Sequence, residues 1–117
     1  MSHPKYILKS TADEKFHFNL TAKNGQVILS SQTYTSKSNA VNGIISVQIN
    51  SSYEDHFVKG MSTNGQHYFN LKANNGQVIG TSEMYTTKEA RDNGIESVKE
   101  NGYTREIEDK TLMDVNE

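Results

Sequence analysis

The side chains of this chain that could do chemistry are carboxylates, lysines, histidines and hydroxyls. Cysteine is absent, which removes thiolate nucleophiles, disulfides and cysteine metal ligands. The histidines, His3, His17, His56 and His67, show neither His-x-x-x-His nor His-Glu-x-x-His spacing and so do not read as a metal set. No nucleophile, base and orienting group can be named together, so the reading assigns no catalytic residue, metal or cofactor. Two tripeptides are better placed. Thr35-Ser36-Lys37 and Thr86-Thr87-Lys88 each open an expected helix, where free N–H groups and the helix dipole favour anions. Their hydroxyls and lysines could complete a phosphate or carboxylate site, with N-capping as the plainer role.

These tripeptides belong to a larger repeat. At an offset of 51 residues, Phe18-Asn19-Leu20-Thr21-Ala22-Lys23-Asn24-Gly25-Gln26-Val27-Ile28 lies over Phe69-Asn70-Leu71-Lys72-Ala73-Asn74-Asn75-Gly76-Gln77-Val78-Ile79. Tyr34-Thr35 lies over Tyr85-Thr86 and Asn42-Gly43-Ile44 over Asn93-Gly94-Ile95. From Phe18 to Asn50, 19 of 33 aligned positions are identical without a gap, which marks an internal duplication. Asp13, Glu83, Glu89, Asp92, Glu96 and Glu100 align with Asn64, Gln32, Ser38, Val41, Ile45 and Ile49. Carboxylates therefore concentrate where the copies disagree, as on a solvated surface.

Each copy reads as three strands and a helix. Asn24-Gly25 and Asn75-Gly76, between alternating segments, predict two-residue type I′ turns. Earlier turns fall at Asp13-Glu14 and Asn64-Gly65. The strands are expected over Lys5–Thr11, Phe16–Lys23 and Gln26–Ser31, then Phe57–Ser62, Gln66–Asn74 and Gln77–Ser82. The helices start from caps at Thr35 and Thr86, the second as a capping box with Glu89, and run to about Ile49 and Glu100. Ala40, Gly43, Ile44 and Val47, and Ala90, Gly94, Ile95 and Val98, form their buried stripes. Tyr103–Glu108 predicts one more strand, with Tyr53–His56 in that role for copy one. The chain divides into one compact domain, 1–108, built of repeats 5–52 and 56–108, and a frayed tail, 109–117.

Two-residue turns would put Ile7, Phe16, Phe18, Leu20, Ala22, Val27 and Leu29 on the core face, with Val58, Phe69, Leu71, Ala73 and Val78 in copy two. The opposite face would carry Tyr6, Leu8, His17, Asn19, Ile28, Phe57, Met61, Tyr68, Asn70 and Ile79. Of these, His17, Asn19, Ile28, Tyr68, Asn70 and Ile79 are the candidate binding residues of an open, half-apolar sheet face.

The paired segments Phe-Asn-Leu-x-Ala-x-Asn-Gly-Gln-Val-Ile, Ser-x-x-Tyr-Thr and Asn-Gly-Ile-x-Ser-Val resemble the YegP-like family, uncharacterised bacterial proteins with one or two copies of a domain of unknown function, DUF1508. The likeness runs from about Tyr6 to Glu108. It implies an α+β fold of tandem β3-α-β units sharing one antiparallel sheet, with two helices on one face, pseudo-two-fold symmetry and exchanged last strands. It also implies a covalent pseudo-dimer that is monomeric as a chain, and no established activity.

The net charge of −2, with Arg91 and Arg105 the only arginines, counts against nucleic acid. No apolar run is long enough for a membrane span, and the cytoplasm is the expected compartment. The function expected is non-catalytic binding or scaffolding through the open sheet face or the sheet edge, with a protein as the partner. The alternative is small-anion binding at the two helix starts.

Overall fold

The structure, a computed structural model, describes residues 3–111. Its strands are β1 (Tyr6–Ser10), β2 (Phe16–Thr21), β3 (Val27–Ser30), β4 (Phe57–Met61), β5 (His67–Lys72), β6 (Val78–Thr81) and β7 (Ile107–Asp109). Helix α1 (Lys37–Asn50) follows β3, and α2 (Lys88–Asn101) follows β6.

All four hairpins close in the same way, and not as type I′ turns. Gly25 N–H donates to Ala22 O and Ala22 N–H to Gln26 O, both at 2.9 Å, with Gly25 at φ 85° and Asn24 at negative φ. This is a type I turn followed by a bulge residue in the left-handed region. Asn24 serves it through its side chain, whose Oδ1 accepts from Gln26 N–H at 3.0 Å. The same pair of backbone bonds recurs at Thr11–Lys15, Ser62–Gln66 and Ala73–Gln77.

The extra residue in each turn changes which side chains meet. In the first hairpin of each copy it shifts the register by one. Tyr6 pairs with Leu20 and Leu8 with Phe18, and Phe57 with Leu71. A one-residue shift inverts the face of a whole strand. Tyr6, Leu8 and Phe57 are therefore core residues, whereas Ile7 and Val58 lie on the open face. Met61 pairs with His67, on the helix side, and is well exposed.

In the second hairpin a further bulge reverses the shift. Thr21 pairs with Val27 but Leu20 with Leu29, leaving Ile28 as the extra residue; Lys72 with Val78 and Leu71 with Gly80 likewise leave Ile79 over. A bulge turns two consecutive side chains to one side. Ile28 and Ile79 accordingly bury in the core, each 7% exposed, and are not on the open face. Val27 and Val78 take the open-face positions instead.

The sheet order is β4-β5-β6-β3-β2-β1-β7. The repeats meet where β3 pairs antiparallel with β6, Ser30 against Thr81. These two residues occupy equivalent positions of the repeats, so a pseudo-two-fold axis passes between them. Leu29 and Gly80, also equivalent, adjoin that axis. A Cβ on Gly80 would stand 2.5 Å from Leu29 Cδ2, so one leucine fills space that two would contest. The strand exchange runs one way only. β7, from the second copy, pairs with β1 of the first, and it does so in parallel, which makes the sheet mixed. The matching Tyr53–His56 segment forms no strand; Glu54–His56 is a 3₁₀ turn leading into β4.

Both helices lie on one face and bridge the repeats, α1 packing on β2, β5 and β6, and α2 on β5 and β3. Their N-caps are Ser36 and Thr87, one residue later than expected, accepting from Asn39 N–H at 3.1 Å and Ala90 N–H at 3.0 Å. That move takes Glu89 out of capping-box position. In α2 the buried residue equivalent to Ala40 is Arg91 rather than Ala90. Asn42-Gly43 and Asn93-Gly94 stay helical. A Cβ at Gly43 would stand 2.5 Å from Tyr34 Oη, so glycine makes room for the tyrosine ring, which stacks on Phe18 at 6.4 Å. Tyr6 on Phe18 (5.9 Å) and Phe57 on Phe69 (5.7 Å) are matching edge-to-face pairs in the two halves of the core.

Candidate functional site

Side chains at directly opposed sheet positions share a face. Across the four central strands the register puts Asn19 beside Ser30, Ser30 beside Thr81 and Thr81 beside Asn70. This row crosses the face that carries no helix, with Ile7 beyond Asn19 and Val58 beyond Asn70. The hydroxyls of Ser30 and Thr81 donate to Asn19 Oδ1 and Asn70 Oδ1, each at 2.9 Å. Both amide oxygens are thereby engaged and both Nδ2 groups point away. Neither Nδ2 has a partner among the described residues. Asn19 is only 9% exposed, so its donor is held rather than free to rotate.

His17 and Tyr68, equivalent in the two repeats, lie on the same face two residues before Asn19 and Asn70 along β2 and β5. His17 pairs with Lys9 and Tyr68 with Gly60. Both side chains are half-buried. Partial burial, followed by the charge of Lys9, holds the His17 imidazole below its usual pKa and favours the neutral ring. Four of the six residues expected on the open face, His17, Asn19, Tyr68 and Asn70, thus come together there, while Ile28 and Ile79 do not. The sequence reading missed the partners Ser30 and Thr81, although a hydroxyl lies 11 positions after each asparagine.

The helix starts are less open to anions. Ser36 and Thr87 spend their hydroxyls on capping. Lys37 is bound to Asp109 at 2.6 Å, which brings a carboxylate to the first site and holds the Asp109 carboxyl below its usual range although burial alone would raise it. Thr35, Thr86 and Lys88 are exposed, and Lys88 has no acidic partner among the described residues. The strand ends one residue into the expected tail, at Asp109; residues 112–117 of that tail lie outside the described residues.

The histidines stand apart. His3 Nδ1 meets Thr21 Oγ1 at 2.9 Å and His56 Nδ1 meets Asn50 Oδ1 at 2.8 Å, whereas His67 bridges to Tyr85 through its backbone. Two pseudo-equivalent clefts open between repeats, of about 410 Å³ beside Ile28 and Tyr85 and about 360 Å³ beside Tyr34 and Ile79. The first also carries the Glu83 carboxylate, whereas the second is lined by neutral groups; burial raises the pKa of both tyrosines, at Tyr85 with a further push from the Glu83 charge. No helix among the described residues is long and apolar enough to cross a membrane.

Comparison with known proteins agrees with this architecture. Residues 12–57 and 62–109 each match the family described as a domain of unknown function, DUF1508. A UPF0339 protein of Shewanella oneidensis is 54% identical over 106 residues, covering 91% of this chain and 96% of that protein. The UPF0339 protein YegP of Escherichia coli is 48% identical over the same shares. The solution NMR structure of the Shewanella oneidensis protein superposes with a TM-score of 0.84, covering 89% of this chain and 88% of that one. That of the Escherichia coli protein of unknown function YegP does so with 0.88, at 44% identity, covering 94% and 95%. With both halves matched and the fold shared, the chain is a member of the DUF1508 family that carries the family's domain twice.

Proposed function

We propose that the protein is a non-catalytic binding module of the bacterial cytoplasm that engages a protein partner through its uncovered sheet face. The observation that carries this reading is the row Asn19–Ser30–Thr81–Asn70, with two amide donors oriented by hydroxyls and without partners among the described residues. Pre-oriented donors lose little entropy on binding, and the flanking Ile7, Val58, Val27 and Val78 supply apolar area around them. The half-buried His17 and Tyr68, two residues along their strands from the asparagines, add an imidazole and a phenol. The net charge of −2 favours a protein over nucleic acid as the occupant.

The test is an amide NMR titration of the labelled protein with fractionated bacterial extract and with inorganic phosphate. Saturable shifts at His17, Asn19, Tyr68 and Asn70 are expected from an extract fraction, and Tyr68→Glu should abolish them while leaving the spectrum dispersed. Shifts confined to Thr35–Lys37 and Thr86–Lys88 on adding phosphate would replace this reading with an anion-binding one.

A further inference from the structure

The two ends of the sheet are equivalent by the repeat but are treated differently. β1 and β4 occupy the same place in their copies, 51 residues apart. The outer edge of β1 is filled by β7, in parallel, with Tyr6 opposite Ile107, Ile7 opposite Glu108 and Leu8 opposite Asp109. Tyr6 N–H donates to Glu106 O at 2.9 Å. Two ion pairs hold β7 down: Lys5–Glu108 on the open face and Lys37–Asp109 on the helix side, each at 2.6 Å.

β4 ends the sheet, and nothing among the described residues pairs with its outer edge. Phe57 N–H, the counterpart of Tyr6 N–H, turns outward to Glu54 O of the 3₁₀ turn. Residues two and four further on therefore also turn outward, so the backbone groups of Lys59 and Met61 face an empty strand position. Val58 is 42% exposed, whereas its covered counterpart Ile7 is half-buried. Lys88 is the counterpart of Lys37, the lysine that grips Asp109 in the filled slot. In the place of Leu8 stands Lys59, about half exposed and bound to Asp92 at 3.3 Å, in a groove that Glu54 and Glu96 also line. An extended segment seated on β4 as β7 is seated on β1 would place its third residue opposite Lys59, where it competes with Asp92, and, by the equivalence of Lys88 with Lys37, within reach of the Lys88 ammonium.

We infer that the outer edge of β4 is a docking slot for an extended partner segment that adds a strand parallel to β4 and carries a carboxylate opposite Lys59, read by Lys88. The segment Ile107-Glu108-Asp109 is the template for its pattern. β-strand addition of this kind draws affinity from main-chain hydrogen bonds and specificity from alternate side chains. The slot is distinct from the uncovered face.

The probe is a synthetic peptide with the sequence of residues Tyr103–Thr111, titrated into the labelled full chain. Saturable shifts are expected at Phe57–Met61 and at Lys88, in the millimolar range or tighter for so short a strand. The same peptide carrying Asp109→Lys should bind about tenfold more weakly, and Lys88→Glu in the protein should weaken the parent peptide by a similar factor. The Phe69 and Leu71 amides report whether that variant stays folded. Absence of saturable shifts at β4 overturns the inference, as do equal shifts with both peptides. Shifts confined to β1 would mean displacement of β7, and shifts at His17, Asn19, Tyr68 and Asn70 would mean docking on the open face; either result also overturns it.

Discussion

At Glu14 the backbone sits at φ 65°, the only non-glycine residue among those described with positive φ, in the bulge position that Gly25, Gly65 and Gly76 fill in the other three hairpins. A left-handed conformation costs a residue with a Cβ about 1–2 kcal/mol. Glu14→Gly should therefore stabilise the chain by about 0.5–1 kcal/mol, part of the gain being offset by the freer unfolded chain, as read from urea midpoints. Asn-Gly suggested positive φ at both residues, but at Asn24 the side chain bonds Gln26 N–H and the backbone stays at negative φ. That choice between two turns of similar sequence is not written in the dipeptide. The same choice at Asp13-Glu14 and Asn64-Gly65 decides the facing of every residue in β1 and β4. The pair Leu20–Leu29 was legible all the same, because the bulge at Ile28 cancels the bulge at Gly25. That His17, Asn19, Tyr68 and Asn70 share the open face was legible by alternation alone, since they lie on the strands whose register survives. Ile28 and Ile79 fell on the wrong side because a bulge interrupts that alternation.

Among the elements, β7 is the one most dependent on charge. Only three residues long, it is held by Glu108 and Asp109. The ammonium of Lys5, itself 4% exposed, lowers the Glu108 pKa chiefly by its hydrogen bond. For Asp109 burial pushes upward, but the hydrogen bonds from Lys37 and Thr111 prevail and the pKa is lowered as well. A carboxylate with a lower pKa folded than unfolded stabilises fully above the unfolded value and loses that contribution as pH falls through the folded one. Hydrogen-exchange protection at Tyr6, Leu8 and Ile107–Asp109 should therefore fall selectively below about pH 4, while Phe69 and Leu71 in β5 hold. A uniform loss across the sheet would show that β7 is not a separately anchored element. The strand was anticipated from Tyr103–Glu108, but its parallel pairing with Tyr6–Leu8 depends on contacts distant in sequence that no local pattern encodes. The helices were legible despite their internal Asn-Gly, because the apolar stripe keeps a helical period and the glycine faces Tyr34 or Tyr85.

For the whole molecule, the duplication sets both proposed surfaces. The row on the open face is continuous only because β3 meets β6 with Ser30 against Thr81, and the empty edge at β4 is recognised only against its filled counterpart at β1. Both rest on one pseudo-two-fold axis through the central strand pair. Leu29 and Gly80 probe that axis directly. Leu29→Gly opens a cavity and should cost about 3–5 kcal/mol; Gly80→Leu forces a second side chain against Leu29 and should cost about 2–3 kcal/mol. If the axis relates the two halves, exchanging the residues sends the leucine across the same gap from the other strand. The measurement is a double-mutant cycle by urea unfolding of wild type, both single variants and Leu29→Gly/Gly80→Leu. The account predicts that the double variant recovers to within about 1.5 kcal/mol of wild type, a coupling of several kcal/mol. Additive losses, with the double variant as unstable as the two singles combined, would contradict it.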